Sequence, residues 1–149
     1  MKFVVAVDGS EPSEKALEHA ISIAKAARAD LTVVHAVDPA VYSEGGEEPV
    51  SDIPDAEDRL IVESEEDAEE RGIQILDEMA SAATQRGFDV ETELLHGDPG
   101  VAVPEYLTSS GADGVFVGHR GLSERYERLL GSVAKTLLES SPVPVTIVR

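Results

Sequence analysis

Residues 3–10 read Phe3-Val4-Val5-Ala6-Val7-Asp8-Gly9-Ser10, and this octet decides the fold. Five consecutive apolar residues, most of them β-branched, are the pattern of a strand buried on both faces. The run stops at a carboxylate, and Asp8-Gly9-Ser10 supplies a turn and a helix cap. Pro12, with Glu11 and Glu14 beside it, suits the first turn of a helix. Ala16, Leu17, Ala20, Ile21, Ala24 and Ala27 then recur at helical spacing and predict one apolar stripe. A buried strand feeding straight into a helix opens a βαβ series.

The same alternation continues outward. Residues 31–37 form a second strand run that ends at Asp38-Pro39. Ile75, Leu76, Met79, Ala80 and Ala83 predict a second helical stripe, stopped by Gly87 as a left-handed cap. Phe88, Val90, Thr92 and Leu94 alternate with Asp89, Glu91 and Glu93, which predicts a third strand with one wet face, at a sheet edge. His96-Gly97-Asp98-Pro99 turns into a short helix around residues 101–107, where Pro104 is expected to delay or kink the start. Residues 114–117 give a fourth buried strand, followed by a loop from Gly118 to Gly131. Val133, Leu137 and Leu138 mark a fourth helix, and Val143, Val145 and Ile147 a fifth strand. Pro144 confines that strand to a place where a missing N–H does no harm, such as an edge. The fold class is therefore α/β: a single doubly wound domain over residues 1–149, with a five-stranded parallel sheet and four helices. An acidic loop excursion is expected at about 39–64.

Thirty Asp and Glu stand against twelve Lys and Arg, a formal charge of -18. So negative a surface repels nucleic acid and anionic lipid, both of which require clustered Lys and Arg. Only four of the basic residues are lysine, and this bias predicts adaptation to a very salty cytoplasm, where charge repulsion is screened. The absence of cysteine excludes disulfides, thiolate metal sites and Cys nucleophiles. No apolar run approaches the roughly 20 residues that span a bilayer, and the N-terminal run is too short for a signal peptide. The expected setting is cytoplasmic.

In a doubly wound sheet the ligand crevice opens at the carboxyl ends of the strands, where the winding reverses. Asp8-Gly9-Ser10 and Gly118-His119-Arg120-Gly121 follow two such ends, and Gly131-Ser132 opens a helix. A helix start preceded by glycine suits phosphate, through free N–H groups and the positive dipole end. Arg120, Arg125 and Arg128 make that loop net positive against Glu124 and Glu127, although Glu124 and Arg128 also stand at pairing distance on a helical turn. Asp8 fits ribose hydroxyls or a phosphate-bound Mg²⁺, or else serves only as a turn carboxylate. His19 and His35 read as structural, whereas His96 and His119 follow strand ends and can reach the crevice. Without carboxylates at ligand spacing they make no metal site. Neither a P-loop nor a dinucleotide fingerprint occurs.

The glycines nonetheless fall in a recognisable order. Gly118, two residues, Gly121, nine residues, then Gly131-Ser132 resembles the signature of the ATP-binding class of universal stress proteins. The resemblance extends to residues 4–10, to residues 33–38, to Gly97-Asp98-Pro99 and to the closing residues 142–148. It implies an adenine nucleotide alpha-hydrolase-like sheet in the order 3-2-1-4-5, and homodimers paired along the fifth strand, residues 143–148. It also implies an adenine nucleotide (ATP, ADP or AMP, with or without Mg²⁺) at the switch between strands one and four. By position Asp8 meets ribose or metal, the backbone of Ala36 meets adenine, and Ala6, Val117 and Gly118 line the pocket, with Arg120 beside them. Gly121, Gly131, Ser132 and Val133 hold phosphates. Ala134 stands where the family often has Thr or Ser, Ala6 where some members have proline, and His119 where Ser is common. The function implied is a regulatory protein of the stress response. A slow ATPase or phosphotransferase is the alternative, and a nucleotide-free dimerisation module a second one.

Overall fold

The computed structural model describes residues 1–38, 65–120 and 130–149. In chain order the elements are β1 (Lys2–Ala6), α1 (Glu11–Ala27), β2 (Asp30–Val37), α2 (Glu65–Gln85) and β3 (Glu91–His96). They continue with α3 (Pro99–Ser110), β4 (Gly114–Gly118), α4 (Ser132–Ser140) and β5 (Val145–Val148). The five strands form one sheet in the order β3-β2-β1-β4-β5, and every pairing is parallel. The expected acidic excursion at 39–64 lies outside the described residues, as do Gly121, Glu124, Arg125, Glu127 and Arg128.

The apolar run that opens the octet is the centre of this sheet, and its period of two sorts side chains between two cores. Val5 and Val7 face one way, into a cluster with Ala16, Leu17, Ala20 and Ile21 of α1 and Ile75, Leu76 and Met79 of α2. Val4 and Ala6 face the other way, packing with Val103 and Leu107 of α3 and Leu137 of α4. Val4, Val5, Val33 and Val34 have no exposed surface. Each such side chain contributes on the order of 1.5–3 kcal/mol from apolar burial. A strand with no wet face needs helices on both sides, which is why this sheet is doubly wound.

Local chemistry sets the helix ends. The Ser10 hydroxyl accepts from the Ser13 N–H at 3.3 Å, an N-cap on α1. Asp98 does the same for α3, accepting from the Gly100 N–H at 2.9 Å. Gly87 follows α2 at φ +75°. At the fifth strand, Pro144 stands one residue before β5 and its carbonyl accepts from the Val115 N–H at 3.0 Å, so it serves the ladder as an acceptor only.

Four expectations shift. The third strand begins at Glu91, not Phe88; Phe88 and Val90 are half-buried against the first core from the segment before it. Ala27 is exposed, and the apolar stripe continues instead through Ala29 beyond the helix. Leu138 is 55% exposed because it lies off the buried face that Ala134 and Leu137 define. Pro104 does not delay α3, which starts at Pro99; it removes only the N–H that would have met the Gly100 carbonyl. Among the described residues no helix is long and apolar enough to cross a membrane.

Candidate functional site

From β1 the chain winds outward to β2 and β3, and from β4 it winds the other way to β5. The gap between the carboxyl ends of β1 and β4 is thus the topological switch point, where crevices form in such sheets. A cleft of about 120 Å³ opens there. Nine of the ten residues singled out by sequence line it: Ala6, Asp8, Ala36, Val117, Gly118, Arg120, Gly131, Ser132 and Val133. The tenth, Gly121, lies outside the described residues.

At the tip of β1 the polar groups form a local network. The Asp8 carboxylate accepts from the Ser10 N–H at 2.9 Å, so it is a turn carboxylate as well as a lining residue. The Asp8 N–H donates to the Ser13 hydroxyl at 3.4 Å, and that hydroxyl donates to the Ser10 carbonyl at 2.9 Å. Ser10 and Ser13 are buried, and their hydrogen bonds compensate for that burial. Ser13 also lines the cleft, one helical turn behind the octet.

Two glycines also have backbone roles beside the expected one. Neither Gly118 nor Gly131 has a positive φ. A Cβ at Gly118 would lie 2.8 Å from both the carbonyl carbon and the oxygen of Pro12, so the missing side chain lets the start of α1 approach β4. Gly131 is extended, at φ −64° and ψ 159°, and its N–H donates to the His119 carbonyl at 2.6 Å. The Gly131 amide is therefore already engaged. The next amides in the cleft come from Val133 onward, in the first turn of α4, where helix N–H groups lack intrahelical acceptors. Val133 and Ala134 both line the cleft there.

Arg120 and Asp8 are the lining residues of fixed opposite charge among those described. The Arg120 Nε is buried and meets no acceptor among the described residues. A guanidinium N–H can only donate, so an unmet one in a cleft invites an oxygen from a ligand. The apolar wall, from Ala6, Val34, Ala36, Val103 and Val117, suits a flat ring system. His35 also lines the cleft, with Nδ1 2.8 Å from the Val7 carbonyl.

The remaining histidines stand elsewhere. His96 meets Glu69 at 2.9 Å, on the outside of the β3 edge, and is not a lining residue. His119 spans β5 and α4 through its backbone, while its Nδ1 is buried with no partner among the described residues. His19 is exposed and lies edge-on to Phe116, with ring centroids 5.9 Å apart. Among the described residues no group of three or more His, Asp or Glu is arranged to hold a metal ion. Sequence reasoning missed Val7, Ser13, Val34, His35, Pro99, Val103 and Ala134 as lining residues. Ser13, Pro99, Val103 and Ala134 lie within or just after an anticipated turn, and Val7, Val34 and His35 lie in the two strand runs beside residues already singled out.

Comparison with known proteins places this geometry. A family model described as the universal stress protein family matches residues 1–149. The chain is 32% identical over 148 residues to the universal stress protein YxiE of Bacillus subtilis, covering 99% of this chain and 98% of that one. In structure it is similar to the universal stress protein UspA from Lactobacillus plantarum, with a TM-score of 0.77, 19% identity, and coverage of 100% and 97% of the two chains. It is similar as well to a universal stress protein crystallised in complex with cAMP, with a TM-score of 0.70, 31% identity, and coverage of 100% and 97%. The chain belongs to the universal stress protein family.

Proposed function

We propose that this chain binds an adenine nucleotide, ATP foremost, in the cleft between β1 and β4, and that it acts as a nucleotide-responsive regulator in the stress response. The observation that carries the reading is the convergence on one switch-point cleft of a strand-tip carboxylate, an apolar slot and an arginine Nε without an acceptor. The cleft volume of about 120 Å³ is below the roughly 300–1,000 Å³ of pockets that take whole drug-sized ligands. It is the size for a base, with ribose at Asp8 and phosphates at the mouth beside Arg120 and the start of α4. Mg²⁺ would arrive with a polyphosphate, and Asp8 is the carboxylate nearest to hand. The relative in complex with cAMP supports the adenylate class.

The same reading includes a single domain over residues 1–149, a cytoplasmic setting, a salt-adapted surface and a homodimer paired along β5. The free edge of β5 supports the dimer, since an uncovered edge strand is otherwise a pairing hazard. A ligand-shift melt with ATP, ADP and AMP, with and without Mg²⁺ and at high salt, tests the nucleotide. At a hundredfold excess over Kd, binding adds about 2.7 kcal/mol, which in a chain of this size raises Tm by roughly 5–10 °C. No shift with any of the three at millimolar concentration contradicts the reading.

A further inference from the structure

We propose that His35 is a positioning residue of the cleft: its ring holds the carbonyl of Val7, and in doing so fixes the Asp8 turn and turns the Ala36 N–H toward the ligand. The ring and that carbonyl are 28 positions apart in sequence and 2.8 Å apart in space. A carbonyl only accepts, so the proton sits on Nδ1 of His35. The Val7 N–H donates to the Val34 carbonyl at 2.9 Å, one step beyond the last paired residue of β1. Peptide groups two residues apart in a strand point the same way. Regular parallel pairing would therefore bring the Ala36 N–H to the Val7 carbonyl next. The His35 ring meets that carbonyl instead, and the ladder stops at the mouth of the cleft that Ala36 lines.

Helix α2 backs this arrangement. A Cβ on Gly72 would lie 3.0 Å from Cδ2 of His35, so the ring is wedged against a helix position that only glycine leaves open. Gly9, at φ +84°, has the Ile75 side chain 3.3 Å from where its Cβ would stand. One face of α2 thus bears on both the ring and the Asp8-Gly9 turn.

The functional half of this proposal rests on the adenine-nucleotide reading, so its test has a second readout that does not. Two variants separate the roles: His35→Leu removes the donor, and His35→Asn keeps an amide N–H near the place of Nδ1. ATP affinity is measured by calorimetry, and exchange of the Ser10 amide, which bonds to Asp8, by NMR. His35→Leu is expected to weaken ATP about tenfold, the worth of one hydrogen bond, and to speed Ser10 exchange, while His35→Asn recovers most of both. A fall in Tm with parental affinity and parental Ser10 exchange overturns the proposal, as does an Asn variant no better than Leu. A parent that binds no ATP defeats the nucleotide reading alone, and the Ser10 exchange rates then decide the role of His35.

Discussion

Replacing Gly118 with Ala separates two explanations of the glycine at the end of β4. If glycine is there to let phosphate approach, an added methyl group affects ligand affinity and leaves the fold alone. The structure assigns it a second duty, since the new Cβ would stand 2.8 Å from the carbonyl carbon and oxygen of Pro12. Those are backbone atoms in the first turn of α1, so relief requires the helix to move. Overpacking of this kind costs about 1–3 kcal/mol, and the reduced freedom of the unfolded chain returns about 0.4–1 kcal/mol. At mid-range the net loss is about 1.3 kcal/mol, or roughly 3–5 °C in Tm for a chain of 149 residues. Because Ser10 and Ser13 ride on the same helix turn and hold Asp8, ATP affinity should fall in parallel. Calorimetric melts of parent and variant without ligand decide the matter. A Tm within 1 °C of the parent refutes the steric assignment.

Four further outcomes are expected. Gly131→Val sits at an extended φ that valine tolerates, so Tm should change by a few degrees at most while ATP affinity, read by calorimetry, drops more than tenfold. Gly72→Ala lies away from the cleft yet crowds His35 and Leu94, so it should weaken ATP severalfold. That effect should shrink in a His35→Asn background, and a double-mutant cycle showing full additivity would deny the coupling. Melting temperature should climb through a KCl series from 0.1 to 3 M, since a charge of -18 repels itself until the Debye length falls to about 3 Å near 1 M; a flat series removes salt adaptation. Sedimentation at micromolar concentration should give a dimer, and a monomer would exclude pairing along β5.

Much of the fold was legible because its centre is written as uninterrupted β-branched runs, which only a sheet covered on both faces can bury. The third strand was misplaced by three residues because Phe88 and Val90 keep a period of two while packing from an irregular segment; periodicity reports burial, not hydrogen bonding. The cleft was legible where its residues follow strand ends in sequence. Where a role depends on distant contacts the sequence is silent. Nothing local to Gly118 announces Pro12, and nothing near His35 announces Val7 or Gly72. Nor does anything local to Gly131 announce that its amide meets the His119 carbonyl.

The central claim is that an adenine nucleotide occupies the space between the tips of β1 and β4. A crystal structure of the protein grown with ATP and Mg²⁺ tests it most directly. Density for the base against Ala6, Ala36 and Val117, ribose by Asp8, and phosphates between Arg120 and the first turn of α4 is the expected result. A cleft without nucleotide at saturating ATP, or ATP bound elsewhere on the surface, contradicts it.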